Sequence, residues 1–491
     1  MGIVLRQSLS NSFSSYAGLA IGALNTLVLY PLAFMPEHTA YYGLVQLLLN
    51  YTLIISMFTG LGMPQVLIRF YKKLEEAVRG HLTFFALLVP LFILLPLASA
   101  ILLFREPLAH WLTQNPEDEL LLFRYFPLLT ITVLFNVYFE VLASISQVHL
   151  RSVLPMFLKE VGRRSVVTVL IGLLLMEWID LHSFIWLFAL LYPIQLIVLA
   201  FVLLRRKRIQ FSWGWRPLPL RSLLDFGLFS FLTVGGDLLL NRIDQLMIAK
   251  YVGLEDLAYY TIAFFIGNVI NIPQRASAGI IKPLVVGHLE NQRWEELRQI
   301  YRTSSAGLMV ASGLLMVLII PNLPQLLELL PVSIVGGTTV VVLIASGKFL
   351  SSSLGLNSMI LSMSSYYRFT LMINVGMIVA TVLTNLWLIP SYGIAGAAGA
   401  TLLVIVLNNI WKTAFVGLKL KLWPFSRSFF WILPWVALCT GVSLLFTQWA
   451  IDPWWGIPLR SILCGTVFMS PLLVFRAVPV LNDWLKGWRK R

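Results

Sequence analysis

The chain alternates long apolar runs with short charged clusters from end to end, and few folds tolerate that pattern. A helix of about 20 apolar residues crosses the roughly 30 Å hydrocarbon layer of a bilayer. The runs lack the strict every-other-residue alternation of an outer-membrane barrel strand, so they read as helices. Only 12% of the 491 residues are charged and 58% are hydrophobic, whereas a soluble domain carries roughly a quarter charged residues. The mean hydropathy is +0.83. The expected fold is an all-α polytopic membrane protein with about fourteen spans, at 12–34, 42–68, 83–104, 121–149, 157–176, 183–204, 222–250, 257–283, 305–323, 334–360, 370–389, 394–417, 429–449 and 456–475.

Alternate connections differ in charge. RFYKKLEEAVR (69–79), RSVLPMFLKEVGRR (151–164), RRKRIQFSWGWRPLPLR (205–221), ENQRWEELRQIYR (290–302), KLKLWPFSR (419–427) and the tail WLKGWRKR (484–491) are basic. The intervening turns, among them MPEHTA, REPLAHWLTQNPEDE, EWIDLH, GLED and DPWW, are acidic or neutral. Basic loops face the cytoplasm, which predicts cytoplasmic termini and an even number of spans. The same bias accounts for the net charge of +14, so the charge does not point to nucleic acid. Trp111, Trp178, Trp213, Trp215, Trp454 and Trp455 fall at span ends, as an interfacial aromatic belt requires. The first span is too long for the apolar region of a signal peptide and is expected to remain as a helix. Cys439 and Cys464 lie inside apolar runs and read as packing or lipid-contact residues, not a disulfide framework. The six histidines show no metal-ligand spacing.

Residues 37–42 read EHTAYY and 255–260 read EDLAYY. The first joins expected spans 1 and 2, the second spans 7 and 8, both on the outer side. Six spans therefore form one repeat and the second repeat starts in the same orientation, a parallel duplication known among transporters. This divides the chain into a six-helix lobe at 1–204, a basic cytoplasmic linker at 205–221, a second six-helix lobe at 222–417 and two further helices with a basic tail at 418–491. In each hinge the Glu is expected to end the apolar run at the surface, and the tyrosine pair to anchor the next helix among headgroups.

Three stretches carry a family resemblance: PEHTAYYGLVQLLLNYTLIISMFTGLGMPQVLIRFYKK (36–73), NRIDQLMIAKYVGLEDLAYYTIAF (241–264) and INVGMIVATVLTNLWLIPSYGIAGAAGATLL (373–403). With the span count, they make the chain resemble the Wzx-type lipid-linked oligosaccharide flippases of the multidrug/oligosaccharidyl-lipid/polysaccharide (MOP) exporter superfamily. That resemblance implies two pseudo-symmetric lobes in a V shape and alternating access in a bacterial cytoplasmic (inner) membrane. It also implies a monomer moving a polyprenyl-pyrophosphate oligosaccharide between leaflets, beside polysaccharide polymerase and glycosyltransferases. In the third stretch Pro390 is expected to end a helix, Gly393 to relieve the turn, and Gly396, Ala397 and Ala400 to permit close helix approach.

An ionisable side chain inside a span is a functional candidate by default. Glu140, Asp237, Arg242, Asp244, Arg275 and Lys348 fall within expected spans. Arg275 lies about 18 residues, roughly 27 Å, along its helix. Arg275, Lys348 and Arg242 are candidates for a pyrophosphate, since Arg offers a planar fork and Lys a compact charge; Arg242 is equally read as a neutraliser of Asp237 or Asp244. Glu140, Asp237 and Asp244 are candidates for proton or sodium coupling, against a structural alternative. Asn25, Asn268 and Asn271 are candidates for sugar hydroxyls or for helix–helix hydrogen bonds. No cofactor and no catalytic group is expected. A lipid II flippase and a drug/cation antiporter of the same superfamily stand as alternatives. A membrane glycosyltransferase or polymerase fits less well, because the longest outer loop, 105–119, is short, and no phosphate-cradling Gly loop is present.

Overall fold

The computed structural model describes residues 2–149, 151–206, 209, 211–330, 334, 336–448 and 452–474; the basic tail at 484–491 lies outside them. The described residues are helical with no strand. Eleven helices among them are long and apolar enough to cross a membrane, and the chain is a multi-pass membrane protein.

Three differences separate eleven from the expected fourteen, and each has a local cause. Residues Arg368–Leu420 run as one hydrogen-bonded stretch, which would be about 80 Å long if straight. It is broken at Gly393 (φ 55°, ψ −133°), a backbone conformation essentially closed to other residues. Pro390 precedes the break, and a side chain at Gly396 would strike the Leu388 carbonyl. The expected span 157–176 runs through Val153–Phe157, a π turn at Leu158–Gly162 and Arg163–Leu175, with Lys159, Glu160, Arg163 and Arg164 in its first half. The expected span 257–283 is divided by a 3₁₀ turn at Val269–Asn271.

Internal contacts divide the chain into Met1–Ala258 and Tyr259–Arg491. In the first unit the Pro116–Val148 helix is central. It packs against Leu181–Arg205, Thr39–Gly60, Met63–Phe70 and Glu76–Leu103. Burial follows: within an 18-residue apolar window of each helix, 67% of the residues of Pro116–Val148 are buried, against 22% for Glu76–Leu103. Met63, Val66, Leu67, Leu82, Ala86, Phe139 and Val141 form the core. The caps are conventional. Asn115 Oδ1 accepts the Glu117 N–H at 3.1 Å, and Asp180 Oδ1 accepts the Ser183 N–H at 3.1 Å, each satisfying an otherwise open helix-end donor. Hydrogen bonds from the Ser183 side chain and backbone hold the Asp180 carboxyl below the usual carboxylate range. Leu220–Leu240 and Ile243–Tyr251, which open the second sequence repeat, pack on Thr39–Gly60 within this first unit. The repeat boundary and the packing boundary are therefore different divisions of the chain.

In the second unit Gly337–Leu354 packs on Tyr367–Leu420, and the last two helices, Arg427–Ser443 and Pro453–Val474, pack on Trp294–Ile319. Met309, Val317, Phe349, Ile432, Val436 and Phe468 fill that core together with Cys439 and Cys464. Both cysteines are free thiols and buried, so they are packing residues without lipid contact.

The hinge tyrosines differ from the expectation. Tyr42 and Tyr260, the last residues of the two hinge copies, are both 0% exposed. Tyr42 stacks on Tyr30 at 4.4 Å between centroids, and Tyr260 packs beside Phe264 at 5.8 Å. These second tyrosines of each pair anchor their helices against protein, not among headgroups, while Tyr41 and Tyr259 are half-buried. The six tryptophans expected at span ends are exposed, from 45% for Trp215 to 79% for Trp213.

Candidate functional site

The first unit gathers a polar cluster at a break in a helix. Leu220–Leu240 ends, Asn241 and Arg242 form a turn, and Ile243–Tyr251 resumes; the sequence reads as one uninterrupted span there. The break frees backbone and lets Arg242 leave the helical path, the arrangement that lines binding sites in transporters. Asn50, 0% exposed, donates through Nδ2 to Gln245 Oε1 at 2.7 Å. Arg242 Nη1 donates to Asn50 Oδ1 at 2.8 Å and to Gln245 Oε1 at 3.4 Å. Asp244, 2% exposed, accepts the Gln245 N–H at 2.8 Å. Asp237 is exposed, and its carbonyl accepts Asn241 Nδ2 at 2.7 Å. Two neutral amide oxygens thus fix the direction of a guanidinium, and a planar fork held in one direction suits phosphate oxygens.

A second charged group in this unit lies around the Val153–Leu175 run. Lys159 Nζ donates to Glu140 Oε1 at 2.5 Å, Glu160 pairs with Arg164 at 3.2 Å, and Arg164 donates to the Gly18 carbonyl. Glu140 therefore has an ammonium partner that its span alone does not reveal. Asn25 spends its amide on helix–helix contact: Nδ2 donates to the Arg164 carbonyl at 3.0 Å and Oδ1 accepts from Thr168 at 2.7 Å.

In the second unit Arg275 is exposed on the Ile272–Glu290 helix. Lys348 is 7% exposed, with its ammonium 5.6 Å from the Phe264 ring centroid. Asn268 precedes the 3₁₀ turn and Asn271 ends it, and the side-chain oxygen of each is buried with no hydrogen bond among the described residues. Further polar groups join these, of which Lys412, Asn385, Asn409 and Arg460 were missed in the sequence. Lys412, 4% exposed, donates to Asn374 Oδ1 at 3.3 Å. Asn357 Nδ2 donates to Thr413 at 2.9 Å and to Asn409 Oδ1 at 3.2 Å. Asn385 is fully buried, and neither amide atom has a hydrogen bond among the described residues. Arg460 is 1% exposed. Lys412 and Arg460 fall inside expected spans, so a residue-by-residue charge count of 394–417 and 456–475 identifies them.

Residues 8–279, more than half of the chain, match the family described as polysaccharide biosynthesis protein. The chain belongs to that family. Its fold resembles those of a MurJ flippase and of MATE transporters. It superposes on a lipid II flippase, MurJ, in an inward closed conformation with a TM-score of 0.72 and 13% identity, covering 96% of this chain and 99% of that one. A multidrug resistance MATE family transporter in an inward-facing conformation gives a TM-score of 0.64 at 14% identity, covering 83% and 96%. A Vibrio cholerae MATE transporter gives 0.57 at 14%, covering 86% and 98%. No curated protein matches the sequence. For this member of the polysaccharide biosynthesis family, each unit carries a broken helix with half-buried polar side chains at the break, Arg242 in one and Asn268 and Asn271 in the other.

Proposed function

We propose that the chain is a flippase that moves a polyprenyl-pyrophosphate-linked oligosaccharide across a bacterial cytoplasmic membrane by alternating access, for cell-surface polysaccharide biosynthesis. The match of residues 8–279 to polysaccharide biosynthesis proteins carries this reading; the MOP fold supports a transporter rather than an enzyme. The cargo headgroup is anionic, and the amide-oriented Arg242, the exposed Arg275 and Lys348 are the cations proposed to meet it. A drug cation would be repelled by the same set. Glycosyltransferases would supply the cargo and a polymerase would consume it. Transport is coupled to a proton or sodium gradient through Glu140, Asp237 or Asp244. The basic loops support cytoplasmic termini.

Lipid II is the second reading, favoured by the nearly full-length superposition on MurJ. It shares the polyprenyl pyrophosphate and differs in the sugar. The test is flipping in proteoliposomes of fluorescent lipid-linked oligosaccharide and of fluorescent lipid II, offered separately. Transport of the first above the second supports the proposal. Transport of lipid II alone selects the second reading, and transport of neither overturns both.

A further inference from the structure

We propose that the linker between the Leu181–Arg205 and Leu220–Leu240 helices is a docking site for anionic phospholipid headgroups. Those helices are membrane spans, so the residues joining them lie at a membrane–water boundary. Its described stretch at 211–218 is irregular in backbone but held in place. His81, near the start of the Glu76–Leu103 span, donates from Nδ1 to the Gly214 carbonyl at 3.0 Å. Ser212 sits against the backbone of Gly80. Phe84, one turn further along, is buried under three linker aromatics: Phe211 at 5.5 Å, Trp213 at 5.2 Å and Trp215 at 6.5 Å between centroids. Leu218 anchors the far end in the core at 7% exposure.

Such fixing would normally cover the aromatic rings. Trp213 is nevertheless 79% exposed and Phe211 49%, so a rigid platform presents an indole outward. Tryptophan favours the headgroup level, where its ring is half solvated and half apolar. The charge around it selects the lipid. Residues 205–221 hold six basic side chains and no acidic one, and Arg205, Arg206 and Arg216 are exposed. The neighbouring loop at 69–79 holds four basic and two acidic side chains, so most of the surplus positive charge comes from the linker. An exposed aromatic ring in the same short linker as three exposed arginines, with no acidic residue among 205–221, fits an anionic leaflet: the ring enters the headgroup layer and the guanidinium groups meet the phosphates.

The measurement is tryptophan quenching on the full chain in nanodiscs. The Trp213 signal is the difference between wild type and Trp213→Phe, a change that keeps a ring on the Phe84 platform. The quenchers are phosphatidylglycerol and phosphatidylcholine, each brominated on the acyl chain near the headgroup and used at equal mole fraction. Phosphatidylglycerol is expected to quench the Trp213 signal more strongly. The triple variant Arg205→Gln, Arg206→Gln, Arg216→Gln should lose that preference, by about fivefold in relative lipid affinity for each arginine, and added salt should weaken it in wild type. Equal quenching by the two lipids, before any substitution, would overturn the headgroup selection. A Trp213 signal untouched by either lipid would overturn the site altogether, with the ring then facing water or another protein.

Discussion

Arg242 is the side chain whose role depends most on its partners. Its guanidinium is aimed by Asn50 and Gln245, and hydrogen bonds to a charged group contribute roughly 1.5–3 kcal/mol each. Arg242→Lys keeps the charge and loses the fork. Flipping in proteoliposomes should fall about tenfold or more, with thermal stability in detergent nearly unchanged; a wild-type rate would remove Arg242 from the cargo site. Arg275 and Lys348 separate differently because one is exposed and the other is buried. Arg275→Ala should reduce transport while leaving stability intact, and Arg275→Lys should recover part of it. Lys348→Ala opens a cavity and should lower stability as well, so Lys348→Met, of similar volume, isolates the charge. Normal transport by an Arg275→Ala, Lys348→Met double variant would sink the anion role of both.

Two turns decide how the elements are held. At one end of the first unit, Asp118, 3% exposed and in the first turn of the Pro116–Val148 helix, accepts the Leu254 N–H at 2.9 Å. Gly43, directly after the first hinge copy, lies so near that a side chain there would strike the Leu254 carbonyl. The two hinge copies are thus brought together through Gly43 and Leu254. Asp118→Leu leaves a buried donor without its acceptor, a loss of about 1–3 kcal/mol, and thermal unfolding in detergent should show it. In the second unit Gly393 carries the break in Tyr367–Leu420. Gly393→Ala should destabilise by about 1–3 kcal/mol, whereas Gly399→Ala, with nothing within 4 Å of the added methyl, should be neutral or slightly stabilising. Equal stability for the two variants would show that the break does not depend on glycine.

For the whole molecule, the alternation of basic and acidic connections predicts sidedness. Single cysteines at Gln114 and Arg216, both exposed, test it in a background with Cys439 and Cys464 replaced by alanine. An impermeant maleimide on intact cells should label position 114 and not 216; the reverse would invert the topology. Gradient coupling is tested at the same scale. Flipping should respond to an imposed pH or sodium gradient, and Glu140→Gln or Asp237→Asn should blunt that response more than cargo binding. Glu140 is ion-paired with Lys159, so Glu140→Gln must be compared with Glu140→Gln, Lys159→Met. If rates ignore both gradients in every protein, the carboxylates are structural.

The sequence by itself determined what depends on local transfer between water and hydrocarbon. Hydropathy located eleven of the membrane helices, loop charge gave the expected sidedness, the E-x-x-A-Y-Y copies gave the expected duplication, and Pro390 with Gly393 marked the break in a helix that could not otherwise fit the bilayer. Only the tertiary structure decided which face of each helix meets protein. A lipid tail and a leucine are equally apolar, so the pattern that announces a span is silent on whether Tyr42 reaches headgroups or Tyr30, and whether Cys439 meets lipid or Phe468's core. Polar groups followed the same rule. Asn50 and Gln245 are 195 positions apart, and Glu140 finds Lys159 on another helix. Spacing along one helix relates residues three or four apart, whereas these pairs exist only because separate helices are brought side by side.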